Sequence, residues 1–303
     1  MSGSPHSQRE LAVRLATRAS PLARWQAEAT AEALRAANDN LDAELVEVST
    51  EGDRRLDVPL EVIGGKGVFV KEVQAALLDG RADVAVHSAK DLPAIGPEGL
   101  VLAAFLPRGD PRDAMAGARM IDLPTGARVG TGSARRKTQL LDLRPDLDVV
   151  GLRGNIATRL ARVGELDAIV VAFAALQRLG LDDRADEVLA PAMFCPQVGQ
   201  GAVAVECRAD DGATLAALRA VDHAPTRTCV EAERAFLRGL GGDCTLPAGA
   251  HAVLDGPRLR IAGVLDVGAA RPARATLTGV ASGDSPPALG VELARKLLAA
   301  RSR

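Results

Sequence analysis

Tyrosine is absent, and one tryptophan and five phenylalanines bring the aromatic content of the 303 residues to only 2%. Unpaired bases are gripped by stacking on such rings, so a single-stranded nucleic-acid binder is not expected. No excess of one charge sign is present to draw a polyanion either: 37 Lys and Arg face 39 Asp and Glu, a formal net charge of -2 at pH 7. Runs of about 18 uncharged apolar residues are missing, which excludes a membrane-spanning helix on pattern alone. The opening MSGSPHSQRE is not followed by the apolar stretch of a secretory signal, so a cytoplasmic location is the expectation. Cysteines are few and irregularly spaced, at 195, 207, 229 and 244, and form neither paired zinc knuckles nor a disulfide framework. The histidines at 6, 87, 223 and 251 are scattered without an HExxH spacing, and no metal is expected.

What is present is enough apolar sequence, 47%, for more than one core, and the length points to two or three domains. A unit recurs along the chain: a short β-branched run, a turn rich in Gly, Ser, Asn or Asp, then a helical pattern. That alternation implies α/β domains with parallel sheets. Ser20 and Pro21 read as cap and first residue of a helix whose inward face would carry Leu22, Trp25, Ala29 and Ala33. ADVAVHSA reads as a strand that delivers Lys90 and Asp91 at its end, after a helix KEVQAALLDG closed by Gly80. Leu106–Asp113, LPRGDPRD, reads as a crossing between domains. A second series of units follows, with Asn155 capping the helix IATRLARV. From CVEAERAFLRGL onward the pattern changes to alternating strands, AHAVL, RLRIAGVL and RATLTGV, closed by the helix PALGVELARKLLAA. The expected architecture is two doubly wound α/β domains plus a smaller α+β domain, divided as 9–107 with 207–227, 108–206, and 228–303.

Charge placement carries the functional signal. In VGTGSARRKTQL, Arg135 and Arg136 fall in the first turn of a helix, whose amino end already repels cations. One such pair can bend into water. Arg153 and Arg159 are expected at the same sheet edge, however, and two like charges about 4 Å apart cost about 4 kcal/mol at an effective dielectric near 20. Convergence of this kind calls for a multiply carboxylated or phosphorylated ligand. Phosphate motifs fail on inspection: Gly64-Gly65-Lys66-Gly67 has Leu60 and Gly67 where a P-loop needs Gly and Ser or Thr. Gly130-Thr-Gly132 runs into Arg135, and Gly199-Gln-Gly201 leads into a strand, so neither is a dinucleotide fingerprint. A two-lobed carboxylate receptor without catalysis would fit the same architecture.

The segments RLATRASPLARWQ, GDRRLDVPL, GGKGVFVKE, VHSAKDLP, GTGSARRKTQL, LRGNIATRL, PQVGQGAVAVECR and GGDCTLPAG occur in an order that resembles the porphobilinogen deaminase family over nearly the whole chain. The resemblance implies two periplasmic-binding-protein-like α/β domains flanking a cleft, and an enzyme that joins four porphobilinogens head to tail, losing ammonia at each addition. Water would then free the linear tetrapyrrole hydroxymethylbilane. It further implies a dipyrromethane cofactor joined by a thioether to Cys244, Asp91 as the catalytic carboxylate, and Ser20, Lys90, Asp91, Ser133, Arg135, Arg136 and Arg153 around the cofactor. Arg18, Ser20, Arg153, Arg159 and Lys66 would meet the substrate's acid groups. By residue type alone Asp91, before Leu-Pro, is an ordinary turn former, and Cys244 an ordinary buried thiol. His87 reads as structural. Asp243 departs from the glycine common before the cofactor cysteine and should disfavour the thiolate, while Ala89 and Ala134 replace bulkier apolar residues. Porphobilinogen is the expected partner, with no nucleic acid, no membrane and a monomeric state.

Overall fold

The computed structural model describes residues 11–50, 70–241, 247–269 and 271–302. Strands β1 (Leu11–Arg18) and β2 (Leu41–Val48) pair in parallel along their whole length. Between them, helix α1 (Pro21–Ala37) starts at the expected cap: the Ser20 hydroxyl accepts from the Ala23 N–H, and Pro21 occupies a position where a missing N–H costs nothing. Its inward face differs from the expected one. Gln26, Ala27, Thr30, Ala31 and Leu34 are buried, whereas Trp25 is 37% exposed. The two polar residues can be buried because both are satisfied: Gln26 exchanges hydrogen bonds with Ser88, and Thr30 donates to the Gln26 carbonyl. Trp25 lies under the Arg178 guanidinium instead, 5.1 Å from the ring centre.

Helix α2 (Lys71–Leu78) and Gly80 lead into β3 (Val84–Ser88), which lies beside β1, and then β4 (Leu100–Phe105) ends the first half of this domain. The chain crosses through residues 106–112 to β5 (Asp113–Ala116) of a second sheet. That sheet is completed by β6 (Arg128–Gly130), β7 (Asp148–Val150), β8 (Ala168–Ala172) and β9 (Glu187–Val188), with helices α3 (Ala134–Leu143), α4 (Ile156–Leu160) and α5 (Phe173–Arg178) between strands. Residues 189–202 return the chain to β10 (Val203–Arg208) in the first sheet, followed by α6 (Gly212–Arg219).

Sheet orders are β2-β1-β3-β10-β4 and β7-β6-β8-β5-β9, one plan used twice. The alternating pattern predicted parallel sheets, but each contains one antiparallel strand, β10 or β5. The reason is geometric. Each crossing leaves one sheet at the edge where the parallel strands end and enters the other at the corresponding edge, so the arriving strand has to run backwards. The expected boundary after residue 206 therefore cuts a strand: Val203–Glu206 pair with β3 and β4 and belong to the first sheet. The boundary at 228 likewise falls inside a helix, α7 (Ala224–Gly239), capped by His223.

The last unit is an antiparallel meander, β11 (Ala248–Asp255), β12 (Arg258–Leu265) and β13 (Ala273–Val280), covered by α7 and α8 (Ser285–Leu298). Phe236, Ile261, Leu293 and Leu297 lie in its core. Glu233 on α7, wholly buried, ties this unit to both crossings. Its carboxylate accepts from Arg108 Nη1 at 2.6 Å and Nη2 at 3.1 Å, from Gly199 N at 2.7 Å and from Ala252 N at 2.8 Å. Glu233→Ala strands a nearly buried guanidinium and two N–H groups, so unfolding free energy by urea titration should fall by about 3–5 kcal/mol. A fall below about 1 kcal/mol, the worth of an exposed pair, would show that the junction is held by something else.

Candidate functional site

Ligands of α/β sheets sit beyond the carboxyl ends of the strands, and the sequence-predicted residues that fall among the described ones leave from those ends. Arg18 closes β1, with Ser20 two residues on. A short 3-10 turn, Ala89–Asp91, follows β3 and carries Lys90 and Asp91, both half-buried. From the second sheet, β6 leads to Ser133 at the head of α3, and β7 leads to Arg153 and then to Arg159 on α4. Ser133 caps α3 through the Arg136 N–H and Asn155 caps α4 through the Thr158 N–H, as the spacing predicts. The hydroxyls of Ser20 and Ser133 accept in these caps and still carry a proton to donate.

Opposite sides of the cleft meet at Asp91. Burial pushes the Lys90 ammonium down to about 8, with Asp91 and Asp113 opposing the fall and Arg136 and Arg159 adding to it. Arg159 is lowered to about 10 by burial and by the Arg136 and Arg153 charges, against the pull of Asp91. These mutual effects place Lys90 of the first sheet within electrostatic reach of Arg136 and Arg159 of the second, and Asp91 within reach of Arg159, which in turn feels Arg153. Arg159 also donates to the Gly154 carbonyl at 2.7 Å. Arg153 has a buried Nη1 with no hydrogen-bond partner among the described residues, as has Arg135 Nε. Buried donors left open in this way cost free energy until an acceptor arrives.

Arg135 and Arg136 resolve differently from the sequence-based expectation. Both are buried, and the anion they face belongs to the chain itself. Asp113, at the start of β5, accepts from Arg136 Nε at 3.0 Å and Nη2 at 2.7 Å, and its other oxygen lies 2.8 Å from Arg135 Nη2. Arg136 also donates to the Val170 carbonyl, and Arg135 to that of Cys195 while lying over the Phe194 ring. Burial alone would raise the Asp113 carboxyl, but the Arg135 and Arg136 charges, with the Gln200 amide at 3.0 Å, hold it below the usual carboxylate range. Asp113 and Gln200 escaped the sequence reading. A legible signal existed for the first: a carboxylate opening DAMA, a strand buried at every position.

His87 is buried, as expected, and has a partner that the sequence did not reveal: Glu206 Oε2 lies 3.2 Å from Nε2. Lys66, Asp243 and Cys244 lie outside the described residues. The other cysteines are buried, and burial pushes Cys195 up to about 12 and Cys207 and Cys229 up to about 11, which makes them poor nucleophiles near neutral pH. Among the described residues, no group of His, Cys, Asp or Glu is placed to hold a metal ion, and no helix is long and apolar enough to cross a membrane. Cationic donors around one carboxylate, with an open guanidinium arm among them, suit a ligand that carries several carboxylates and an N–H group.

Two family models match: "Porphobilinogen deaminase, dipyromethane cofactor binding domain" over residues 13–216, and "Porphobilinogen deaminase, C-terminal domain" over residues 227–299. A curated porphobilinogen deaminase of Nitratidesulfovibrio vulgaris, strain Miyazaki F, is 48% identical over 294 residues, covering 94% of this chain and 93% of its own. That of Stenotrophomonas maltophilia is 49% identical, covering 94% of this chain and 96% of its own. Among solved structures, a nutrient binding protein from Burkholderia cenocepacia bound to methionine is 15% identical with a TM-score of 0.43, covering 69% of this chain and 91% of that one.

Asp113→Asn leaves two buried guanidinium groups without a counter-charge and should lower stability by about 3–5 kcal/mol at neutral pH. A carboxyl held low in the fold stabilises above its unfolded pKa, near about 3.9, and loses that contribution as pH falls through the folded value. The gap between parent and variant should therefore stay level from about pH 8 to about pH 5 and narrow only at lower pH. Chemical denaturation across that range tests this, and a gap that closes already near neutral pH would remove Asp113 as the counter-ion.

Proposed function

Because this chain belongs to the porphobilinogen deaminase family, we propose that Asp91 is its catalytic carboxylate, that Cys244 carries the dipyrromethane, and that Lys90, Arg153 and Arg159 take up pyrrole carboxylates. The enzyme is a transferase, hydroxymethylbilane synthase, that polymerises porphobilinogen in tetrapyrrole biosynthesis. What supports the residue assignment is the meeting of Lys90, Asp91 and Arg159 across the cleft.

The donor set fits the dipyrromethane's acid side arms: Arg153 has an open, buried Nη1, and Lys90 stands charged at neutral pH with Asp91 and Arg159 near it. Arg18 and Ser20 stand at the carboxyl edge of the first sheet and Ser133 at that of the second, where Arg135 and Arg136 are already paired with Asp113, and Lys66 belongs to the same set by its motif. When bound, the dipyrromethane supplies the first acceptor pyrrole for chain growth. Its attachment through Cys244 uses a soft sulfur nucleophile able to form a stable C–S bond.

Asp91 acts on the incoming substrate. Loss of ammonia from porphobilinogen leaves positive charge spread over the pyrrole, and a fixed carboxylate beside the pyrrole N–H stabilises it as it develops. A charge pair about 4 Å apart at an effective dielectric near 20 is worth about 4 kcal/mol, about a thousandfold in rate. Lys90 and Arg159 would oppose that charge if left bare. Substrate carboxylates neutralise them first, so the acid side arms serve the rate as well as the binding.

Asp91→Asn keeps the shape and removes the charge: kcat should fall by about a hundredfold or more with little change in melting temperature, and ordinary turnover would assign the chemistry elsewhere. Freshly purified active enzyme should weigh more than its chain by one dipyrrole unit, and Cys244→Ser should weigh the chain alone and be inactive. An unmodified mass in the active parent would refute the covalent cofactor on Cys244.

A further inference from the structure

The motif PQVGQGA, residues 196–202, resembles a nucleotide fingerprint only formally, and none of the binding roles above draws on it. In the structure it is the return crossing, and it lies directly behind the turn that carries Asp91. Gly199 has φ +70, and a Cβ there would stand 3.0 Å from the Ala89 Cβ and 3.2 Å from the Lys90 nitrogen. Gly201 has φ +84, and a Cβ there would stand 2.5 Å from the Gly109 carbonyl oxygen of the other crossing. The two glycines thus serve close backbone approach on both sides of this segment. Two hydrogen bonds then fasten the turn to it. The Ala89 N–H donates to the Ala202 carbonyl at 3.0 Å, and Gln197 Nε2 donates to the Lys90 carbonyl at 3.0 Å. The segment is itself anchored, because Gly199 N is held by Glu233.

Resting on the reading of Asp91 as the catalytic carboxylate, we propose that Gln197 is a positioning residue that sets Asp91 by pinning the Lys90–Asp91 peptide. The accepted carbonyl belongs to the peptide plane that joins those two residues, and the plane is rigid. Holding its oxygen fixes the direction in which the Asp91 backbone leaves the turn. A three-residue 3-10 turn has no internal donor for that carbonyl, so without Gln197 the plane can tilt. Misplacement of a catalytic group by a fraction of an ångström to an ångström is costly in rate while leaving substrate contacts elsewhere intact.

The test uses the full-length, cofactor-loaded enzyme. Gln197→Met keeps the length of the side chain without its donor. It should lower kcat about tenfold, leave KM within about twofold and the melting temperature unchanged, and speed amide exchange in a peptide covering Ala89–Leu92. Gln197→Ala provides the same readouts should the methionine variant not fold. Adding either change to Asp91→Glu, whose carboxylate is already displaced, should cost little more, whereas independent roles would multiply. Parental kcat in the Gln197 variants, or fully multiplicative losses, overturns the proposal. If Asp91→Glu and Asp91→Asn both turn over at the parental rate, the reading of Asp91 fails instead, and the exchange experiment still reports whether Gln197 holds the turn.

Discussion

Two buried carboxylates determine where the rest of the molecule can be. Asp113 holds Arg135 and Arg136 and receives Gln200, the Gln200 carbonyl receives Arg108 Nε, and Arg108 forks onto Glu233, which also holds Gly199 and Ala252. This chain of polar contacts runs from the second sheet through both crossings into the meander unit. Such groups add little net stability over apolar packing, because desolvation offsets most of the attraction. What they impose is position. An unpaired charge left behind by any other arrangement is expensive, so alternative seatings of the crossings are penalised.

Position matters here because the site is assembled from separate pieces. Lys90 and Asp91 come from one sheet, Arg153 and Arg159 from the other, and their mutual influence is visible in the lowered proton affinities of Lys90 and Arg159. A cleft that collects this much positive charge repels itself. Asp113 removes part of the burden by neutralising the two arginines nearest the core, which keeps Arg136 compatible with Lys90 beside it. On the assignment proposed above, the remaining cations are left for carboxylates of the bound pyrroles. Pairing Arg135 and Arg136 internally separates the cost of building the site from the affinity for what the proposed ligand-facing arginines would bind.

Local chemistry made much of this legible. Caps at Ser20, Ser133 and Asn155, the proline-rich crossing at 106–113 and the alternating strands of the last unit each have short-range causes, and each is present. The failures are non-local. Hydrophobicity points Trp25 inward, but Gln26 and Thr30 take that face because Ser88 and the helix backbone satisfy them. The alternation of units predicts parallel sheets, and only the route of the crossings reverses β10 and β5. At the head of α3 the sequence called for an anion of the right charge in the right place. It could not tell that a residue more than twenty positions earlier would supply it for Arg135 and Arg136.

The same crossings bear on how a reactive carboxylate can stay in register beside a product that lengthens. Asp91 belongs to the first sheet by sequence, yet its turn is hydrogen-bonded to the return crossing through Ala202 and Gln197, and that crossing lies against the first one through Gly109 and Gly201. In any rotation of one sheet relative to the other about these strands, displacement grows with distance from the pivot. A group fastened to the crossing, as the Lys90–Asp91 turn is, moves least in such a rotation. With Asp91 as the proposed catalytic carboxylate, fastening its turn at the pivot lets the cleft change its span without moving the group assigned to the chemistry.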